Sequence, residues 1–144
     1  MSPDLTNPAS IVVSRRIGWM DTDAAGIYHW TTVFRLIEEG EAELHTALGI
    51  AERTFGAMPR VHVAVDYSRP LRFNDTVDVL LEVVRLGKAS VTYLFRVSSS
   101  DGVAAEGRLK ACHVDVEGGH PTPWPEDIRE LLAAAGAQPG DRAP

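Results

Sequence analysis

Two carboxylates and a glycine stand together in Asp21-Thr22-Asp23-Ala24-Ala25-Gly26, a few residues ahead of a periodic apolar segment. A carboxylate can attack an activated carbonyl, or take a proton from a water that attacks it. The start of a helix carries free N–H groups and the positive end of a dipole, which suit an oxyanion or a polarised carbonyl. Together the two parts fit acyl transfer. The same acids also suit a turn and the helix dipole, so both readings are open at this level. A calcium loop is excluded. Asp-x-Asp-x-x-Gly opens an EF-hand, but its fifth position is Ala25 and its twelfth is Thr32.

The remaining candidates carry less specific signals. His29 is placed to orient a substrate or donate to its carbonyl, or is a loop histidine without a role. Glu38 falls on the edge of the apolar stripe, either assisting Asp23 or solvated. Glu41 projects near the centre of that stripe, where an acid needs a partner, with Arg side chains the candidates. Lys88 and Ser90 sit at a strand turn with Arg85 close by. Cys112 has only His113 beside it, and neighbours in a strand point to opposite faces. His62, His113 and His120 lack metal-ligand spacing, so no metal is expected.

The elements that must position these residues follow from periodicity. Residues 11–19 read as a first strand and 20–29 as a loop. Trp30, Val33, Phe34, Ile37, Leu44 and Leu48 form one stripe of a helix over about 30–48. Thr31 and Thr32 are its candidate caps. Gly49 suits a left-handed end, with Ile50 packing back. Gly40 allows close approach to a sheet. After a connecting loop at 51–59, four strands are expected near 60–68, 76–86, 89–99 and 103–116. Asp101-Gly102 marks a hairpin, and short connections imply antiparallel pairing. Pro125-Glu126-Asp127 opens a short helix with Ile128, Leu131 and Leu132 on its apolar face, ended by Gly136. The chain, 1–144, reads as a single domain with flexible ends at 1–9 and 137–144. One long helix and one sheet must bury their apolar faces together, so the fold class is α+β, a curved antiparallel sheet around a helix.

Here a resemblance enters. The stretch GWMDTDAAGIYHWTTVFRLIEEGEAELHTALGI resembles the N-terminal signature of the 4-hydroxybenzoyl-CoA thioesterase family, and VHVAVDYSRPLRFNDTVDVLLEVVRLGKASVTYLFRV resembles its sheet. The likeness covers roughly residues 11–135. It implies the hotdog fold and hydrolysis of an acyl-CoA thioester to free acid and CoA. The matching acid is Asp23, as nucleophile or general base, the matching glycine is Gly26 and the helical acid is Glu38. The backbone N–H of Trp30 would polarise the carbonyl. Gly26, Ile27, Phe34, Lys88 and Ser90 are the expected substrate contacts, the last two toward CoA phosphates. No cofactor is implied, and a homodimer or homotetramer is. The chain departs from the family at Thr32 and Val33, where Asn and Tyr are frequent, and at His29-Trp30. Those changes alter the pocket wall and leave the carboxylate in place.

Two other classes stay in play: a non-catalytic acyl- or CoA-binding hotdog protein, and a thioesterase for carrier-protein-bound acyl groups. A hotdog hydratase is disfavoured, because no proline follows His29 before Pro59. Composition bounds the rest. Net charge is −6 and the pI is near 5.3, against a nucleic-acid partner. One cysteine permits no internal disulfide, and neither a signal peptide nor a membrane span is seen. A cytoplasmic location is the expectation.

Overall fold

A computed structural model of the chain describes residues 5–141. Six strands form one sheet in the order β2-β5-β4-β3-β1-β6. They are β1 (Ser10–Arg16), β2 (Arg60–Tyr67), β3 (Thr76–Leu86), β4 (Ser90–Ser99), β5 (Gly102–Cys112) and β6 (Ala137–Gln138). Three helices accompany them: α1 (Thr32–Ala47), the single turn α2 (Ala51–Thr54) and α3 (Glu126–Ala134). Among the described residues no helix is long and apolar enough to cross a membrane.

Alternation builds the sheet. Val77, Val79, Leu81 and Val83 of β3 are buried, as are Val91, Tyr93, Phe95 and Val97 of β4. Odd-numbered residues therefore share the inner face, as a period of two requires. Antiparallel registers fix that face, with Leu81 opposite Ile11 on one side and Phe95 on the other. Helix α1 lies against it through Val33, Leu36, Ile37 and Leu44, all within the main core cluster. Each such side chain contributes about 1.5–3 kcal/mol on burial, more than helix propensity supplies. Gly40 is where the helix approaches most closely. A Cβ there would meet Val79 at 3.8 Å and Leu81 at 3.9 Å.

Gly107 on β5 is a stricter requirement. A Cβ would lie 1.9 Å from the Ala64 carbonyl oxygen of β2 and 2.7 Å from the Phe95 ring of β4. Only a residue without a side chain lets β2 and β4 flank β5 at this level.

Several boundaries differ from expectation. α1 begins at Thr32, not Trp30, because residues 29–31 turn before the helix starts. The last meander strand stops at Cys112, where the His113 N–H turns to the Ala89 carbonyl, 2.7 Å. The connecting loop contains α2. Pro125 precedes α3 as its cap instead of occupying its first position. Beyond Gly136 the tail adds β6, parallel to β1, so the sheet is mixed. The Ser14 N–H also donates to the Asp141 carbonyl, 2.9 Å. The tail is therefore paired over part of the stretch expected to be flexible. At the other end, Thr6 and Asn7 donate to the Ala133 carbonyl, and Ala9 is fully buried. Residues 1–4 and 142–144 lie outside the described residues.

Candidate active site

The Asp-rich segment is a loop tied down at both ends. A short 3-10 turn, Trp19–Asp21, follows β1. The Asp21 carboxylate accepts from the Gly18 N–H at 2.7 Å and from Arg35 Nη2 and Nε at 2.7 and 3.2 Å. Arg35 also pairs with Glu39, which Arg15 reaches at 2.5 Å, and Arg15 reaches Glu43 at 2.8 Å. Each partly exposed pair contributes little by itself, about 0–1 kcal/mol. Together they hold the loop against one side of α1. Asp21 is thereby used up as a structural acid.

Asp23 is held differently. Its Oδ1 accepts from the Ala25 N–H at 2.8 Å, and its backbone carbonyl accepts from the Gly26 N–H at 2.9 Å. Gly26 has φ +78°, the left-handed conformation that closes this turn without a Cβ penalty. The Asp23 N–H donates to the Ile27 carbonyl at 2.9 Å, and Thr22 bridges Tyr28, so the loop is a small hairpin. Among the described residues the second carboxylate oxygen has no partner, and Asp23 is exposed.

The helix start is organised by His29. Its Nδ1 accepts from the Thr31 N–H at 3.2 Å and lies 2.6 Å from the Thr31 hydroxyl. An Nδ1 that accepts is unprotonated, which leaves the proton on Nε2. The expected threonine caps do not form: the Thr32 hydroxyl donates instead to the Asp21 carbonyl, 3.0 Å. That bond and the His29 N–H to the same carbonyl, 2.6 Å, lock the loop onto the helix. The Trp30 N–H, between these contacts, meets no acceptor among the described residues.

Asp23, Ile27 and Trp30 line one open cavity of about 520 Å³, together with Tyr28, Tyr67, Arg69 and Pro70. The Tyr67 hydroxyl donates to the Trp30 carbonyl at 2.7 Å, fixing the peptide next to the free amide. Tyr28 is buried and its hydroxyl is unpaired among the described residues, an omission that costs about 1–3 kcal/mol. Burial, with a smaller contribution from Tyr67, pushes its pKa up to about 12. Sequence reasoning missed Tyr28, Tyr67 and Arg69. The one available signal was the aromatic and polar content of the segments just after Asp23 and at the end of β2.

Other expected site residues lie elsewhere. Glu38 and Phe34 line a second, smaller cleft of about 200 Å³ with Ile37, Arg60, Val63 and Leu109. Within one chain Glu38 therefore does not share Asp23's cavity. Phe34 touches it only by proxy, its ring edge-on to Trp30 at 6.0 Å. Lys88 and Ser90 hold Trp124: their carbonyls accept from its N–H at 3.0 Å and its indole N–H at 2.9 Å. Neither lines the Asp23 cavity. His29 acts on the helix start and is not among the cavity-lining residues.

A buried polar chain runs behind the second cleft. Glu41, 5% exposed, accepts a two-pronged ion pair from Arg60, at 3.1 and 2.5 Å. Fully buried His45 lies 2.6 Å from the Thr54 hydroxyl and 2.7 Å from the Tyr93 hydroxyl. The Thr54 proton goes to the Ile50 carbonyl, 3.1 Å, so His45 Nδ1 donates to Thr54 and Nε2 accepts from Tyr93. Burial lowers the His45 pKa to about 4, with Glu41 opposing and Arg60 reinforcing the shift. Burial likewise holds the Tyr93 phenol well above its usual range.

The overall fold recurs in known proteins. A predicted thioesterase from Bacillus stearothermophilus superposes with a TM-score of 0.80 at 26% identity, over 91% of this chain and 99% of that one. A gentisyl-coenzyme A thioesterase gives 0.76 at 25% identity, over 85% and 99%. The 1,4-dihydroxy-2-naphthoyl-CoA hydrolase of Synechococcus elongatus is 27% identical over 124 residues, 82% of this chain and 91% of that protein. The fold is the hotdog, a curved sheet around one long helix. Residues 17–132 match the thioesterase-like superfamily, and the chain belongs to that superfamily.

Proposed function

We propose that the chain hydrolyses an acyl-CoA thioester to the free acid and CoA in the cavity shared by Asp23 and Trp30. The observation that carries this reading is that Asp23, with an unpaired carboxylate oxygen, and Trp30, with an unpaired backbone N–H, line one cavity. The Trp30 N–H takes the thioester carbonyl oxygen and stabilises it as negative charge develops. One such donor is worth about 100- to 1,000-fold in rate.

Asp23 has two routes. As general base it removes a proton from water while the water oxygen attacks the acyl carbon. The tetrahedral intermediate then collapses, the C–S bond breaks, and the CoA thiolate takes up the proton. As nucleophile its free oxygen attacks the carbon, expels the thiolate and leaves an acyl-aspartyl anhydride that water cleaves. Label found in Asp23 after single-turnover hydrolysis in oxygen-18-labelled water establishes the second route, because it arrives there only when water attacks the aspartyl carbonyl of the anhydride.

The acyl group in this reading is a hydroxylated aromatic acid. Support comes from the named substrates of two relatives, a dihydroxynaphthoyl and a gentisyl thioester. The aromatic cavity wall of Tyr28, Trp30 and Tyr67 fits the same class, and a place beside the 4-hydroxybenzoyl-CoA thioesterases is part of the same proposal. A cytoplasmic site of action belongs to the same reading.

A homodimer completes it. β2 ends the sheet and is exposed on both faces, with Val61, Val63 and Tyr67 at 56%, 42% and 45%. A second copy pairing antiparallel along β2 would set the Arg60 end of one strand beside the Tyr67 end of the other. The Glu38 cleft of one protomer would then adjoin the Asp23 cavity of its partner, giving Glu38 and Phe34 a route to the substrate.

The test is a panel of aromatic, short and long acyl-CoAs with wild type and Asp23→Asn. Wild-type turnover of an aryl-CoA, lost at least 100-fold in the variant, is expected. A wild type inert across the whole panel would sink the proposal. Val63→Arg should convert the dimer to monomer in sedimentation; an unchanged mass refutes pairing along β2.

A further inference from the structure

Tyr28 holds a donor that folding does not use. Tyr28 is 5% exposed and is one of the residues lining the cavity beside Asp23; its hydroxyl is closed off from solvent and has no partner among the described residues. The one hydroxyl-bearing ring packed near it, Tyr67 at 6.4 Å between ring centroids, is committed to the Trp30 carbonyl. Phenylalanine at position 28 would fill the same space against the same core without burying an unpaired O–H. The hydroxyl is therefore a cost to the free protein that a bound acceptor would remove.

We propose that the Tyr28 hydroxyl is a substrate-binding donor, uncovered as the cavity wall shifts around the ligand and giving its hydrogen bond to an oxygen of the acyl thioester held in the Asp23 cavity. This rests on the acyl-CoA reading above. Three features converge on it. Tyr28 bridges Thr22 across the loop that carries Asp23. It stands two residues before Trp30, which lines the same cavity and has a free N–H. Its backbone N–H is fixed to the Leu71 carbonyl at 2.7 Å, so the ring is anchored. Burial raises the phenol's pKa, which favours its protonated, donating form. Acceptors of the right chemistry are the carbonyl and ring oxygens of a hydroxylated aryl thioester. An unsubstituted alkyl chain offers none beyond the thioester itself.

Tyr28→Phe tests this, with two readouts. Thermal unfolding of the free variant should match or exceed wild type, because no internal partner is lost. The kcat/KM for an aryl-CoA should fall about 3- to 10-fold, chiefly through KM. Calorimetric binding of the same aryl-CoA to Asp23→Asn and to Asp23→Asn/Tyr28→Phe removes turnover from the question, and affinity should fall by the same factor. Unchanged kcat/KM and unchanged affinity overturn the proposal. So does a destabilised Tyr28→Phe, which would reveal a partner within the protein. If wild type binds aryl-CoA without hydrolysing it, the catalytic reading fails while the affinity comparison still decides the role of Tyr28.

Discussion

Acid should unfold this protein partly through one histidine. His45 is fully buried between Thr54 and Tyr93, and its pKa falls from 6.5 to about 4 on folding. The unfolded chain therefore binds a proton at higher pH than the folded chain does. Between pH 6.5 and 4 the unfolded state is favoured progressively as pH falls. Above 6.5 both states are neutral at this site and the effect vanishes. The shift of about 2.5 units, at ~1.36 kcal/mol each, gives roughly 3 kcal/mol lost by pH 4. For a chain of this size that corresponds to about 6–12 °C in Tm. Carboxylates also titrate in this range, so the measurement is a comparison. Thermal or urea unfolding of wild type and His45→Gln is followed from pH 8 to 4. Glutamine keeps a donor and an acceptor but cannot titrate. The variant starts lower at pH 8, having lost the stack on Phe55, and its curve should then converge on wild type as pH falls. Parallel curves would show that His45 does not carry the acid sensitivity.

Other expectations follow from contacts already described. Gly107→Ala drives a methyl into the Ala64 carbonyl and the Phe95 ring. It should cost about 3 kcal/mol in urea unfolding and free β2 from the sheet. Arg60→Leu leaves the Glu41 carboxylate buried without its cation. The loss should be about 2 kcal/mol, below the ~3–5 of a fully buried pair because Arg60 is one-third exposed. Adding Glu41→Leu to that variant should restore most of the stability; a double variant no better than the single refutes a charge-based cause.

What was legible in the sequence follows the range of the forces involved. β3 and β4 were readable because each alternates over four or more residues. Gly49 was readable because a left-handed helix end is local: it has φ +74°, and Ile50 packs back as expected. The helix start was misplaced because Trp30 fits the apolar stripe, while the turn before Thr32 depends on the His29 ring. β6 was invisible because two residues, Ala137 and Gln138, carry no period at all. Asp21 and Asp23 were indistinguishable by pattern. What separates them is Arg35, fourteen residues on, which claims Asp21 and leaves Asp23 on the cavity. The orphaned Tyr28 hydroxyl was equally out of reach, since an absent partner is a property of the packed core.

β2 is where local pattern and tertiary structure disagree most usefully. Val61, Val63 and Val65 alternate with His62, Ala64 and Asp66, a pattern that calls for one covered face. Yet Val61 and Val63 are exposed, and α1 lies over β1 and β3 instead. A long apolar strand at a sheet edge invites uncontrolled pairing, and natural proteins usually blunt such edges with charge, proline or a cover. Arg60, the one Lys or Arg within β2, is already committed to Glu41, which leaves Asp66 as the exposed charge of the strand. A sequence that asks for burial, on an edge with so little charge to blunt it, is accounted for if the covering element is the same edge of another copy. The Glu38 cleft and the Asp23 cavity both include residues from β2 or its end, Arg60 and Val63 in one, Tyr67 and Ser68 in the other. Closing that edge would therefore finish the sheet and bring the two halves of the proposed site together in one step.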